Sequence, residues 1–193
     1  MKSNQANNQL RIIAGTWRGR KLSFPPVAGL RPTPDRVRET LFNWLDPLIR
    51  EKRCLDLFAG SGALGIEAAS RGAAEVVLVD DQPRVAKTLR EQLQLLKATQ
   101  VQVVQADVDN YLSGTPRAFD VVFLDPPFRE GRLSRCIRQL ESRGWLADEA
   151  WVYLEVEHGL KPDLPANWTL HRSKQAGQVD YHLVHRLKEN QPL

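Results

Sequence analysis

The fold of this chain is decided by the stretch Leu55-Asp56-Leu57-Phe58-Ala59-Gly60-Ser61-Gly62-Ala63-Leu64-Gly65. Residues 54–58 are short and apolar and predict a buried strand, and a helix is predicted after Gly62. The three glycines fit the pattern GxGxxG between a strand and a helix, where they let the backbone approach a ligand and the helix pack on the strand. The stretch therefore predicts a nucleotide-like ligand at this turn; a tight turn without a ligand is the alternative.

Strands and helices alternate on both sides of this turn. Further strands are predicted at 75–80, 101–105, 119–124 and 150–156, and helices up to about residue 72 and at 84–97, 107–112 and 131–143. This alternation predicts a mostly parallel sheet covered on both faces. Two closing strands, 168–173 and 179–187, have no helix between them and predict an antiparallel edge.

The N-terminal quarter has a different pattern. Residues 10–14 and 20–24 flank a glycine-containing turn and predict a β-hairpin. We expect Trp17 in this turn to pack in the core, and stacking on RNA is the alternative. Prolines make 25–34 a loop, and Asp35 is the predicted N-cap of a helix running to about residue 48. We therefore divide the chain into an extension, 1–52, and an α/β domain, 53–193. The apolar face predicted for the helix consists of Val37, Leu41, Trp44, Leu45 and Leu48.

Composition excludes several classes of protein. The 193 residues are 42% hydrophobic and 26% charged, which is typical of a folded domain and not of a disordered chain. No apolar run approaches the ~20 residues that span a bilayer, and the N-terminus lacks the apolar stretch of a secretory signal. Two cysteines, Cys54 and Cys136, favour a reducing cytosol over a disulfide scaffold or a zinc module.

The net charge of +4 is unevenly distributed. Residues 1–53 hold eleven basic and four acidic residues, a charge of +7, so the remaining 140 residues sum to −3. A basic segment beside a near-neutral body indicates contact with a polyanion such as nucleic acid. An Arg-rich, solvated surface is the alternative.

Three aspartates follow successive predicted strands and suggest the cofactor. Asp56 lies four residues before Gly60, where a carboxylate would repel the pyrophosphate of NAD but suit the ammonium or sulfonium group of S-adenosylmethionine. Asp80, 20 residues after Gly60, can accept hydrogen bonds from the ribose of either cofactor. Asp107 can meet the adenine amino group or simply cap a helix. The predicted cofactor site comprises Asp56, Phe58, Ala59, Gly60, Ser61, Gly62, Asp80 and Asp107.

The second chemical signal is Asp125-Pro126-Pro127-Phe128, directly after the strand 119–124. Ligands of open α/β sheets bind beyond the carboxyl ends of the strands, where this tetrapeptide falls. Two prolines stiffen the loop and remove two N–H donors, which leaves acceptors and one aromatic ring. Such a loop suits a planar base with an exocyclic amine, held by Asp125 and stacked on Phe128. We predict these four residues as the catalytic motif, and an ordinary strand-ending turn is the alternative.

These motifs together resemble the RsmD-type methyltransferases, which methylate guanine N2 in 16S ribosomal RNA. The resemblance covers about 11–187 and includes the segments Arg11-Ile12-Ile13-Ala14-Gly15, Arg18-Gly19-Arg20, Arg31-Pro32-Thr33, Val37-Arg38-Glu39-Thr40-Leu41-Phe42, 56–73, 125–128 and Gly177-Gln178-Val179. It implies the class I methyltransferase fold, a Rossmann-like seven-stranded mostly parallel sheet with an N-terminal β-hairpin extension. The family often has Glu where this chain has Asp80 followed by Asp81, so either aspartate is expected to meet the ribose.

The resemblance also implies a function and partners. It implies S-adenosylmethionine as the methyl donor, an assembling 30S subunit as the substrate and a monomer. The composition adds the expectation of no metal, no membrane and a cytoplasmic location. The predicted RNA contacts are Arg18, Arg20, Lys21, Arg31, Thr33, Arg36 and Arg38. The basic helix face after the Asp-Pro-Pro motif either flanks the entry for the base or is a solvated surface.

Four other functions are weighed against this one. DNA adenine-N6 and protein glutamine-N5 methyltransferases use related Pro-Pro-aromatic loops, although this chain is too short for a separate DNA-reading domain. A non-catalytic RNA-binding assembly factor would bind RNA without methyl transfer. An NAD enzyme is disfavoured by Asp56.

Overall fold

Strands and helices alternate along the chain in a computed structural model, which describes residues 9–27, 33–127 and 131–188. The strands are β1 (Gln9–Arg11), β2 (Lys21–Ser23), β3 (Arg53–Asp56), β4 (Glu75–Asp80), β5 (Val101–Gln105), β6 (Phe119–Leu124), β7 (Leu146–Glu157), β8 (Trp168–Ala176) and β9 (Val179–Leu187). The helices are α1 (Asp35–Ile49), α2 (Ala63–Ser70), α3 (Pro83–Leu96), α4 (Val108–Leu112) and α5 (Arg132–Ser142). The predicted order of elements is confirmed, and β7 begins four residues before the predicted strand.

Seven strands form one sheet in the order β5-β4-β3-β6-β7-β9-β8. The five strands from β5 to β7 pair in parallel, and β9 is antiparallel to both of its neighbours, β7 and β8. The predicted antiparallel edge is therefore confirmed. Strand β3 pairs directly with β6, with Asp56 opposite Phe123, which brings the glycine turn beside the Asp-Pro-Pro motif.

Helices cover both faces of the sheet because successive strand residues point to opposite sides. Val121 and Phe123 of β6 share one core with α1, α2, α3 and the hairpin. Val122 and Leu124 of the same strand share a second core with α4 and α5. The hairpin and α1 thus complete a core that begins in the sheet. The boundary between residues 52 and 53 stays a prediction.

The predicted N-terminal hairpin is confirmed, and it is anchored on α2. The Glu67 carboxylate accepts hydrogen bonds from the backbone N–H groups of Ile13 (2.8 Å) and Ala14 (3.0 Å). At Gly15, whose φ is +81°, a Cβ atom would lie 1.8 Å from the carbonyl oxygen of Ser70, so only glycine permits this approach. Trp17 is buried as predicted, with 9% of its surface exposed.

Helix α1 differs from its prediction in two details. Pro34 occupies the N-cap position, and Asp35 is the first helical residue, so the predicted Asp35 cap is wrong. Trp44 and Leu48 of the predicted apolar face are only half-buried, whereas Phe42 and Ile49 are fully buried. The buried stripe of the helix is therefore rotated toward Phe42.

Candidate active site

Four carboxylates converge at the carboxyl edge of the parallel strands. Asp56 ends β3, Asp80 ends β4, Asp125 follows β6, and Glu155 lies near the end of β7. This edge is where ligands bind in open α/β sheets. Three of these residues were predicted from the sequence, and Glu155 was not.

The glycine turn connects the end of β3 to the start of α2 at this edge. Gly60 and Gly62 have positive φ angles of 49° and 76°, and Gly62 is the N-cap of α2. A Cβ atom on Gly62 would lie 2.7 Å from side-chain atoms of Ile66 and Leu89, so packing as well as backbone conformation demands glycine there. The first turn of α2 consequently starts directly beside the end of β3, with its N–H groups toward the carboxyl edge.

Asp56 is buried, with 3% of its surface exposed, and its carboxylate accepts a hydrogen bond from the N–H of Gly65 at 3.0 Å. Burial raises the pKa of Asp56 to about 7, although hydrogen bonds from the backbone of Gly65 and Phe58 oppose the shift. The charge of Asp80 raises the pKa of Asp56 further. A nearby cation would stabilise the ionised form of this buried carboxylate and so lower its pKa.

Asp80 fits the ribose position better than its neighbour Asp81. Its carboxylate accepts hydrogen bonds from the N–H groups of Gly60 and Gln82, both at 2.9 Å, which fixes it against the glycine turn. Asp81 is exposed and accepts a bond only from the side chain of Gln82 among the described residues. Burial raises the pKa of Asp80 as well.

Asp107 is the N-cap of α4, as one of the two interpretations of the sequence predicted. Its Oδ1 accepts hydrogen bonds from the N–H groups of Asp109 and Asn110, and its Oδ2 lies 3.3 Å from Arg132. On the basic face of α5, Arg132 and Arg135 are paired with Asp107 and Asp109 of α4. These two arginines therefore tie α5 to α4.

The Asp-Pro-Pro motif continues directly from β6. Asp125 is partly buried, Pro126 is buried, and Pro127 is exposed. Burial raises the pKa of Asp125 well above its usual value, and the charges of Glu155 and Asp56 raise it further. Phe128, the last residue of the predicted catalytic motif, lies outside the described residues.

The electrostatics of this edge fit a cationic cofactor. Burial raises the pKa values of Asp56, Asp80, Asp125 and Glu155, so each carboxylate is short of positive partners. The pyrophosphate of NAD would add charge of the same sign, whereas a sulfonium and an ammonium group would offset it. The residues present therefore fit S-adenosylmethionine. Among the described residues, no group of three or more His, Cys, Asp or Glu side chains is arranged to hold a metal ion.

The predicted RNA contacts differ in how far their side chains are exposed to solvent. Arg18, Arg20, Lys21 and Arg36 are exposed and Thr33 is half-buried, whereas Arg31 lies outside the described residues.

Arg38 is the exception, and the prediction that it contacts RNA is wrong. Its side chain is completely buried, with Nη2 2.6 Å from Asp35 and Nη1 3.6 Å from Glu67. Nη2 also donates to the carbonyl oxygen of Arg11, so this guanidinium joins α1 to the hairpin. Arg38 was grouped with its basic neighbours in the sequence. Its position in the helix places it with Val37, Leu41 and Leu45 on the buried side of α1.

Two buried carboxylates, Glu67 and Glu155, were not predicted from the sequence. Glu67 is the anchor of the hairpin, and Glu155 lies beside Asp125. Each is the single charged residue of a buried segment, Ala63–Ser70 for Glu67 and 152–156 for Glu155. A buried carboxylate requires partners, so this isolation was a usable signal.

Comparison with known proteins places the chain in a family. A family model described as Conserved hypothetical protein 95 matches residues 10–185. Ribosomal RNA small subunit methyltransferase D of Escherichia coli K12 is 54% identical over 188 residues, which cover 95% of this chain and 93% of that protein. The chain belongs to this family, the RsmD family. The protein of the same name from Haemophilus influenzae is 44% identical, with coverage of 95% and 97%.

Solved structures confirm the fold of this RsmD-family chain. The structure of yhhF from Escherichia coli has a TM-score of 0.86 at 53% identity and covers 94% of this chain and 99% of its own. An RNA methyltransferase from Salinibacter ruber, solved with S-adenosyl-L-homocysteine, has a TM-score of 0.64 at 20% identity, covers 83% and 97%, and supports the fold alone. The predicted class I methyltransferase fold and family are confirmed. No helix in the three described ranges is long and apolar enough to cross a membrane.

Proposed function

We propose that this protein transfers a methyl group from S-adenosylmethionine to the exocyclic N2 of a guanine in 16S ribosomal RNA, on an assembling 30S particle. The coarser part of this function follows from the family: the protein is an S-adenosylmethionine-dependent methyltransferase of small-subunit ribosomal RNA. The observation that carries the proposal is the position of Asp125, a carboxylate directly beyond β6 and beside the glycine turn of the adjacent β3.

The cofactor residues each meet a different part of the donor. We assign Asp56 to the cationic end of S-adenosylmethionine, because burial leaves its carboxylate short of positive partners. Asp80, fixed against Gly60, accepts from the ribose hydroxyl groups. The glycine turn, with Phe58, Ala59, Gly60, Ser61 and Gly62, lies against the cofactor between these two carboxylates. Oδ2 of Asp107 accepts a hydrogen bond from Arg132 and has a second lone pair, which accepts from the adenine amino group.

The chemistry of the base requires alignment above all. When bound, S-adenosylmethionine supplies an electrophilic methyl group on its sulfonium. The guanine amine is a poor nucleophile because its lone pair is delocalised into the ring, so correct positioning contributes several kcal/mol. Asp125 accepts a hydrogen bond from N2–H and stabilises the positive charge that develops on that nitrogen. Pro126 and Pro127 hold the loop rigid, and Phe128 supplies the stacking surface.

The exposed cations of the N-terminal extension hold the RNA backbone. Arg18, Arg20 and Lys21 lie on the hairpin, and Arg36 lies in the first turn of α1. Arg31 and Thr33 complete the proposed set. Phosphate contacts of this kind give affinity without reading the base, which leaves base selection to the pocket at Asp125. Bacterial ribosomal subunits assemble in the cytoplasm, and the predicted cytoplasmic location rests on this substrate. The monomeric state also stays a prediction.

A methyl-transfer assay with competing substrates tests this function. The purified protein, tritium-labelled S-adenosylmethionine and one of four acceptors are combined: 30S particles, naked 16S RNA, duplex DNA or a protein release factor. We expect label in the RNA as N2-methylguanosine, with particles the better acceptor. Label in DNA adenine or protein glutamine would establish one of the two enzymatic alternatives, and RNA binding without label would establish an assembly factor.

Asp125→Ala tests the mechanism in the same assay. The variant should lose about 10²–10³-fold in methyl transfer while its affinity for S-adenosylmethionine is retained, because the acceptor of N2–H acts on the base and its developing charge. Asp163→Asn, an exposed loop position, is the control for removing a negative charge. Near-normal turnover of Asp125→Ala would contradict the assigned role. Mapping the methylated nucleotide in RNA from a deletion strain, before and after complementation, identifies the target.

A further inference from the structure

Two carboxylates lie side by side where β6 and β7 reach the carboxyl edge. Leu124 and Leu154 are partners in the parallel pairing of these strands, so the next residues, Asp125 and Glu155, are neighbours on backbones about 4.8 Å apart. The rings of Phe123 and Tyr153, two residues earlier on each strand, are 6.4 Å apart on the same face of the sheet. By alternation, the side chains of Asp125 and Glu155 continue that face.

Tyr153 fixes the orientation of Glu155. Its hydroxyl group donates a hydrogen bond to Oε1 of Glu155 at 2.7 Å, in the buried layer between Phe123 and Tyr181. Burial and the adjacent charge of Glu155 raise the pKa of Tyr153 well above its usual value, so the hydroxyl stays a donor. The other oxygen of Glu155, Oε2, is thereby left free for a different partner.

The two carboxyl groups are acceptors without enough donors. Glu155 is 92% buried, yet the hydrogen bond from Tyr153 is the only one that its side chain accepts from the described residues. No hydrogen bond from the described residues reaches the carboxylate of Asp125 either. The oxygen atoms left without a hydrogen bond are not fully enclosed, because neither Asp125 nor Glu155 belongs to the described side chains with a completely buried, unpartnered polar atom. A ligand at this edge can therefore reach them and supply the missing donors. A partner with two adjacent N–H donors would satisfy both carboxyl groups.

We propose that Glu155 is the specificity-determining residue that accepts N1–H of the target guanine, beside Asp125, which accepts N2–H. The proposal rests on the proposed function and extends it from the reacting amine to the recognition of the base. Guanine carries N1–H and N2–H side by side on its Watson–Crick edge, and a pair of carboxylates matches these two donors. Adenine presents an N1 lone pair at the same place, which the carboxylate of Glu155 would repel. A site that hydrogen-bonds a base edge discriminates strongly against an analogue that lacks the donor.

2-Aminopurine tests this contact because it keeps the exocyclic 2-amino group and lacks N1–H. It also lacks the O6 carbonyl of guanine, so the contact is assigned by comparing wild type with a Glu155 variant. Once the target nucleotide is mapped, 16S RNA with guanine or 2-aminopurine at that nucleotide is assembled into particles, and methylation rates are compared. We expect wild-type protein to prefer guanine by about 10²-fold or more. The variant Glu155→Gln, whose amide can donate to an N1 lone pair, should lower the ratio of the two rates at least tenfold. The intrinsic reactivity of each base cancels when the ratio is compared between wild type and variant.

Two controls separate recognition from structure. Glu149→Gln changes an exposed carboxylate of the same strand, paired with His185, and should leave the guanine preference unchanged. Glu155→Gln preserves side-chain volume and an acceptor for Tyr153, and it removes a carboxylate whose pKa burial raises, so its Tm should be no lower than that of the wild type and its S-adenosylmethionine binding should be unchanged.

The outcomes are distinct from those of the proposed function. If wild-type protein labels neither RNA, the proposed function fails before the question of Glu155 arises. If wild-type protein methylates guanine RNA but accepts 2-aminopurine equally well, the assignment of Glu155 is overturned without any variant. Equal loss of both rates in Glu155→Gln, with an unchanged ratio, also overturns it, because that is the signature of a merely structural role.

Discussion

Glu67 of α2 anchors the hairpin to the sheet domain, and replacing it with Gln tests how strongly. The carboxylate accepts hydrogen bonds from Ile13 N, Ala14 N and Arg71 Nε at 2.8, 3.0 and 2.8 Å. It also lies 3.6 Å from Nη1 of Arg38, and the side chains of both residues are completely buried. Glutamine has almost the same shape, so the substitution creates no cavity and removes only charge and acceptor capacity.

The expected cost follows from the partners that remain. An amide has one acceptor oxygen, so its NH₂ group must face one of the backbone N–H groups, and a buried unpaired donor costs about 1–3 kcal/mol. The Arg38 guanidinium keeps Asp35 as its anionic partner, but the Asp35 side chain is 55% exposed and outside the buried layer. Breaking a buried ion pair costs about 3–5 kcal/mol. These two effects overlap, so we expect a total loss of about 4 kcal/mol in the free energy of unfolding.

Urea and thermal unfolding measure this loss. For a chain of this length, about 4 kcal/mol corresponds to a fall in Tm of roughly 8–16 °C. Hydrogen exchange should accelerate at the amides of Ile13 and Ala14, and RNA binding should weaken while S-adenosylmethionine binding is retained. Glu39→Gln, an exposed carboxylate of α1, is the matched control. A loss below 1 kcal/mol for Glu67→Gln would refute the anchoring role.

Four further predictions concern the cofactor site and the hairpin. Because burial raises the pKa of Asp56 to about 7, S-adenosylmethionine affinity measured by calorimetry should rise up to tenfold per pH unit from pH 5.5 to 6.5, and Asp56→Asn should abolish this rise. The native pKa of Asp56 exceeds its unfolded value, so its ionisation destabilises the fold as pH rises toward 7; Asp56→Asn should therefore raise Tm at pH 8, and an unchanged Tm would contradict this. Gly65→Ala places a Cβ atom 2.2 Å from the buried Leu78 and should lower Tm by about 2–6 °C despite the better helix propensity of alanine. Neutralising Arg18, Arg20 and Lys21 together should reduce the slope of log affinity for RNA against log salt by roughly 2, whereas neutralising the exposed Lys161 should not.

The elements of the sheet were predictable because their signals are local. Strands β4, β5 and β6 have the bounds that the apolar runs predict, and the glycine turn and the Asp-Pro-Pro segment follow strands as expected. Periodicity fixes which residues of a segment are buried together, and the backbone freedom of glycine and the stiffness of proline act within a few residues. The end of β7 was predicted within one residue, but its beginning was not, because residues 146–149 lack the apolar run of the later part.

The burial and the pairing partners of individual charged residues were not predictable from local signals. Arg38 was indistinguishable from its basic neighbours until α1 was packed against the hairpin and α2. Asp80 and Asp81 are adjacent in sequence, and only the tertiary structure shows that Asp80 accepts a hydrogen bond from the N–H of Gly60 while Asp81 is exposed. In each case the deciding partner is remote in the chain, 29 residues away for Arg38 and Glu67 and 20 for Asp80 and Gly60.

The sequence by itself determined the class of fold, and it predicted the cofactor residues and the Asp-Pro-Pro motif, because strand–helix periodicity and the two turn motifs involve consecutive residues. The tertiary structure decided which charges are buried and with whom they pair. Glu67 became the anchor of the hairpin, and Glu155 became the neighbour of Asp125, only when parallel pairing of β6 with β7 and the docking of the hairpin on α2 brought distant residues together. Burial and electrostatic pairing depend on distance in space, and a sequence specifies distance along the chain alone.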